Sequence, residues 1–133
     1  MKQHVFGETG KQRVAVVGAS TSRAKYGNRA VRAYRAAGWE VYPVHLTAAA
    51  IEGIPAFRSV LDLPERLERA TIYLPPEKTL QVLPDLAAKG VQEVFLNPGS
   101  ENAAVVARGQ QLGLVLVLAC SIVDIGRSPQ NPD

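Results

Sequence analysis

Within ten residues of one another stand Gly18, Ser20, Thr21, Ser22, Arg23, Lys25 and Gly27, directly after the apolar run of residues 14–17. Those residue types in that order suit an anion. Hydroxyls and exposed backbone N–H groups donate to phosphate oxygens, Arg23 and Lys25 supply charge, and Gly18 lets the chain turn where a side chain would be in the way. Gly27 and Asn28 read as the entry to a helix whose positive end faces the same spot. The spacing is not G-x-G-x-x-G, because the second glycine comes only at Gly27, so the dinucleotide fingerprint is absent as written. A plain turn with serine caps would have the same composition, and the rest of the chain has to decide between the two.

Other chemistry is sparse. The two histidines are His4 and His45, and neither neighbours a nucleophile or a run of acids. Asp62 and Asp124 are isolated and read as cap or surface residues, and no metal-ligand cluster or acid pair is visible, so no catalytic residue and no metal is assigned. The single cysteine, Cys120, excludes an internal disulfide and fits a reducing compartment, taken as the cytoplasm. A net charge of +3 and a pI near 9.2 suit an anionic small molecule. With no aromatic-studded basic strand or Lys/Arg run, nucleic acid is not expected. No stretch is long and uniform enough to span a bilayer, and the first residues lack the apolar core of a signal peptide.

Positioning such a loop requires a strand before it and a helix after it, and the chain repeats that pattern. Residues 1–12 read as a loosely held arm, 13–126 as one domain and 127–133 as a tail. Apolar runs at 14–17, 39–45, 70–74, 93–96 and 114–118 read as strands. Helices are expected at 28–37, 76–89 and from Ser100 or Asn102 to Leu112, each closed by a glycine. Residues 64–69 are expected to form a short helix, and Pro84 to kink or split the helix that contains it. Strands alternating with helices imply an α/β, Rossmann-like domain: a five-stranded parallel sheet in the order 3-2-1-4-5, with helices on both faces. The ligand crevice is then expected above the first and fourth strands. The second strand ends in Val44, His45 and Leu46 with no acid for a ribose, which argues against NAD.

Taken together, the strand tips resemble the CoA-binding domain family, which includes stand-alone CoA-binding proteins and the nucleotide-binding domain of the succinyl-CoA synthetase α subunit. The resemblance rests on Val16-Val17-Gly18-Ala19-Ser20, Tyr26-Gly27-Asn28, Tyr42-Pro43-Val44, Ile51-Glu52-Gly53, residues 59–64, Leu74-Pro75-Pro76-Glu77, Asn97-Pro98-Gly99 and Cys120. It implies coenzyme A lying across the strand tips. Gly18, Ala19, Ser20 and Ser22 would cradle the diphosphate, in the loop that ends at Gly27 and Asn28, with Arg23 and Lys25 as charge partners. Pro43, Val44, Leu74 and Pro75 would flank the adenosine, and Asn97, Pro98 and Gly99 would line the pantetheine path. The chain departs from the family's usual asparagine and proline at His45 and Leu46, which bears on the ribose side. Cys120 falls near the expected thiol end and invites the hypothesis of a mixed disulfide with CoA, against that of a small core residue.

The expectation is therefore a non-catalytic, cytoplasmic binder of CoA or an acyl-CoA, with a protein partner or a second copy open. Two alternatives stand beside it: an NAD(P)-dependent oxidoreductase-like domain, and a small subunit of an acyl-CoA ligase.

Overall fold

The computed structural model describes residues 11–64 and 66–133; most of the expected N-terminal arm lies outside them. Five parallel strands form the sheet: β1 (Arg13–Val17), β2 (Glu40–Val44), β5 (Arg69–Ile72), β6 (Glu93–Leu96) and β7 (Leu116–Leu118). A two-stranded hairpin, β3 (Ala50–Ile51) and β4 (Ile54–Pro55), lies between β2 and β5. Four helices follow the strands: α1 (Tyr26–Ala36), α2 (Pro76–Lys89), α3 (Ala103–Gln111) and the short α4 (Ser121–Asp124).

Alternate residues of β1 go to opposite layers. Val14 and Val16 meet Ala30, Val31, Ala33 and Tyr34 of α1 and Ile122 of α4. Ala15 and Val17 share a cluster with Leu83 and Leu86 of α2 and Val105 of α3. Both faces of the sheet are thus covered, which is why its central strands are apolar without alternation. Each fully buried aliphatic side chain contributes about 1.5–3 kcal/mol, so the centre of this sheet holds most of the stability.

The α/β class and the helices on both faces agree with the sequence, but the strand order does not. The sheet runs β2-β1-β5-β6-β7, which is 2-1-3-4-5 for its five strands, not 3-2-1-4-5. The outer edge of β2 is already taken. Phe57 N–H donates to the Pro43 carbonyl at 2.9 Å, and the Phe57 carbonyl accepts from His45 N–H at 2.8 Å. The same arrangement turns Pro43, which has no N–H, to the outer side, where β1 loses no bond. The chain after β4 has no free edge there, crosses the sheet and pairs with the far side of β1. The reversal of strand order, and with it the crevice, therefore falls between β1 and β5, the first and third strands of the sheet in chain order.

Two smaller expectations also change. Residues 60–62 make a single 3-10 turn, capped by the Ser59 hydroxyl, which accepts from Leu61 N–H; residues 66–68 are not helical, and β5 starts at Arg69. α2 runs through Pro84 as one helix. Pro84 is exposed, so its ring meets no packed neighbour layer, and the helix continues through it without a split.

Burial raises the phenols of Tyr34, Tyr42 and Tyr73 above their ordinary 10.0. For Tyr42, whose hydroxyl donates to Glu40, burial and that carboxylate push it up to about 12. The unfolded phenol ionises first, so this contribution is complete below pH 10 and is lost as pH rises from 10 toward about 12. Thermal unfolding followed across that range is expected to show a falling midpoint, with a shallower fall in Tyr42→Phe; an equal slope in the variant would remove Tyr42 as a cause.

Candidate functional site

Gly18 ends β1 at φ 92°, outside the range that L side chains adopt easily. A Cβ there would sit 2.7 Å from the Tyr73 carbonyl oxygen, and a Cβ on Gly27 would sit 2.1 Å from the Gly18 carbonyl oxygen. Both glycines are thus required by the protein's own backbone. The first turn of α1 rests on the tip of β1, and that tip rests on the end of β5. What requires glycine at position 18 is therefore this contact of the chain with itself, whereas the sequence singled out Gly18 for the approach of an anion.

The loop between them is braced from outside. Ser22 N–H donates to Ser20 Oγ at 3.0 Å. The buried Asn28 donates through Nδ2 to the Ser20 carbonyl at 2.9 Å and to Glu52 Oε2 at 3.0 Å, and its Oδ1 accepts from Arg32 Nε at 2.9 Å. Arg23 is turned to acids, 3.4 Å from Glu52 and 3.7 Å from Asp133. Glu52 is at the turn of the β3–β4 hairpin with φ 53°. Asp133 also pairs with Arg32 at 3.0 Å, so the tail folds back onto the start of α1. Among the described residues no side chain caps α1 or α2 at its N-terminus, and both helices begin at this edge of the sheet. The start of α2 offers little, since Pro76 has no N–H and those of Lys78 and Thr79 go to the Pro75 carbonyl at 3.0 and 2.9 Å.

Two cavities flank the contact between Gly18 and Leu74, and both residues line each of them. The first, of about 470 Å³, is enclosed by Val17, Ala19, Val44, Val60 and Val82, with His45, Arg58, Ser59, Lys78, Gln81 and Asp85 as its polar groups. His45 Nδ1 accepts from the N–H groups of Thr47 and Ala48 at 3.1 and 2.9 Å. That fixes the neutral ring as the Nε2–H tautomer, with Nε2 left as a donor. The second cavity, of about 500 Å³, is lined by Ser20, Lys25, Tyr26, Gly27, Tyr73, Pro75, Pro98, Gly99 and Ser100. Among the described residues its lining holds one cation, Lys25, and no carboxylate.

The structure therefore brings together Gly18, Ala19, Val44, His45 and Leu74 on one side, and Gly18, Ser20, Lys25, Gly27, Leu74, Pro75, Pro98 and Gly99 on the other. Ser22, Arg23 and Asn28 brace the loop and line neither cavity. Pro43 is buried opposite Val16 inside the sheet. Asn97 is spent internally: Nδ2 donates to Thr71 Oγ1 and the Ile72 carbonyl, and Oδ1 accepts from Ser121 N–H. Cys120, half-buried, packs against the α1-side core and lines neither cavity. Sequence reading missed Arg58, Lys78, Tyr73 and Ser100. Lys78 did carry a signal, since a cation in the first turn of a helix opposes the macrodipole.

Residues 12–126 match the family described as CoA binding domain. The chain is 31% identical over 84 residues to subunit alpha of the ADP-forming acetate–CoA ligase II of Pyrococcus furiosus, a match covering 62% of this chain and 18% of that protein. Across the curated relatives it matches, the chain spans only 11% to 19% of their length. A conserved hypothetical protein from Pyrococcus furiosus has the same fold, with a TM-score of 0.78, 29% identity and coverage of 86% of this chain and 98% of that one. So does the dinucleotide forming acetyl-coenzyme A synthetase 1 of Ca. Korarchaeum cryptofilum in complex with phosphate and ADP, with a TM-score of 0.72, 28% identity and coverage of 81% and 25%. No helix among the described residues is long and apolar enough to cross a membrane.

Proposed function

The chain belongs to the CoA-binding domain family, and from that premise we propose that it binds coenzyme A or an acyl-CoA across the C-terminal edge of its sheet without acting on it. The observation that supports this most is the pair of cavities meeting at Gly18 and Leu74. A long ligand with a charged middle needs such a saddle. Its diphosphate lies over residues 18–27, near the uncapped start of α1 and Lys25. Its adenosine enters the first cavity between Val44 and Leu74, and its pantetheine arm follows Pro75, Pro98 and Gly99 through the second. The residues fit the group: donors and cations stand where the oxygens pass, and apolar or proline walls where the arm passes.

Calorimetry with CoA, acetyl-CoA, NAD and ATP in parallel tests this reading. Saturable binding is expected for the first two, with NAD at least about tenfold weaker. Ser20→Glu puts a carboxylate where the diphosphate lies and is expected to weaken CoA at least about tenfold, while Ser20→Ala, which removes only the bond to Ser22 N–H, has a smaller effect. Unchanged CoA affinity in Ser20→Glu would show that the diphosphate lies elsewhere.

A second reading is favoured by the ligase subunits among the relatives: this chain as the CoA-binding part of a larger acyl-CoA ligase assembly. Recovery of a stoichiometric partner chain on purification from the native source, with ligase activity appearing only in that complex, would support it over the stand-alone binder.

A further inference from the structure

We propose that the cavity beside β2 holds a second anion subsite, built by Arg58 and Lys78 with His45, that recognises a phosphomonoester on the nucleotide's ribose and so selects CoA over its dephosphorylated form. This rests on the CoA reading above and assigns what the strand-tip sequence left open, since the chain carries His45 and Leu46 where its family commonly has asparagine and proline.

Three observations point the same way. First, Arg58 and Lys78 line one cavity and make no ion pair or side-chain hydrogen bond recorded among the described residues, whereas Arg23 and Arg32, nearer the loop in sequence, are both held by acids. Second, Lys78 is in the first turn of α2. Positive charge there is disfavoured by the helix dipole by about 0.3–1 kcal/mol, a cost that an anion between ammonium and helix end would reverse. Third, His45 and Ser59, which line the same cavity, each have a donor to give. His45 is held with Nε2–H outward by its two backbone bonds. The Ser59 oxygen accepts from Leu61 N–H, which leaves its own hydrogen to give.

Among the described residues the one carboxylate on this cavity, Asp85, is seven residues beyond Lys78 on the same helix, about 10 Å further along its axis. It does not neutralise the ammonium. A compact dianion on the ribose fits this arrangement better than a free sugar hydroxyl, because two cations on one cavity gain little from a hydroxyl, whereas charge-assisted bonds to a phosphate are the strong kind. The diphosphate is already provided for on the other side of Gly18.

The test compares CoA with dephospho-CoA by calorimetry on the full chain, wild type and Arg58→Gln/Lys78→Gln. Both positions are exposed, and thermal unfolding reports whether the variant folds as the wild type does. Wild type is expected to prefer CoA by about tenfold or more, with a steeper salt dependence for CoA. In the double variant the preference is expected to fall to within about threefold. Equal wild-type affinities for the two nucleotides, or a preference that survives the double substitution, overturns the subsite and leaves the CoA reading standing. Failure of both nucleotides to bind overturns the two together.

Discussion

Gly27→Ala is expected to destabilise the domain by about 2–4 kcal/mol, lowering its thermal midpoint by about 10 °C, and to abolish nucleotide binding with it. Elsewhere in a helix the same change would help, since alanine is favoured over glycine by about 1 kcal/mol. Here the added methyl would lie 2.1 Å from the Gly18 carbonyl oxygen. Backbone and not a flexible side chain is in the way, so α1 has to move off the tip of β1, and the clash wins. Gly38→Ala is the comparison: Gly38 has φ 90° but nothing within 4 Å, so that variant carries strain alone, about 1 kcal/mol. Chemical denaturation of the two variants separates crowding from strain. If Gly27→Ala were as stable as wild type, the contact that shapes the loop would be looser than described.

The second large effect is expected at the opposite end of the sheet. Arg69, with a side chain 11% exposed, pairs with Glu93 and Asp124 at 2.9 Å each and donates to the Tyr34 hydroxyl at 3.3 Å. Its guanidinium lies 4.1 Å from the centre of the Phe95 ring and 5.1 Å from that of Trp39. One residue thus fastens α1, β5, β6 and α4. Arg69→Met keeps the stem and removes the fork, at an expected cost of about 2–3 kcal/mol. The figure stays below that for a fully buried pair because Glu93 and Asp124 are 41% and 44% exposed and keep their water. Arg69→Lys is expected to recover little, since an ammonium cannot serve two carboxylates and two ring faces at once. CoA binding by the folded fraction is expected to be unaffected. Arg69 is the first residue of β5, whereas the cavities open beyond its last, and a loss of affinity without a loss of stability would contradict that separation.

Much of this protein is written locally. An uninterrupted apolar strand, a glycine and a helix opening with small residues are each determined by short-range physics: side-chain branching, glycine's freedom and the needs of a helix end. Hence the strands, the closures at Gly38, Gly90 and Gly113, the Asn102 cap on α3 and the loop at the end of β1 could be read from the chain. The sharing of strand tips along one edge followed from alternation alone, and it put Gly18, Ser20, Lys25, His45, Leu74 and Pro98 at the edge where the two cavities lie.

What tertiary structure decided was which of those groups remain available. Strand order depended on Phe57 occupying the outer edge of β2, a pairing across more than ten residues that no local pattern announces. Arg23 and Asn28 look like ligand residues until Glu52 and Asp133 arrive from distant parts of the chain and engage them, and Asn97 looks so until Thr71 and Ser121 use up its amide. Arg58 and Lys78 become cations of a cavity without an ion pair among the described residues because a crossing segment and a helix start both border it. A residue's type and spacing state what it can donate or accept. Whether that capacity is spent inside the fold or left for a ligand is settled by partners brought near only when the whole chain has packed.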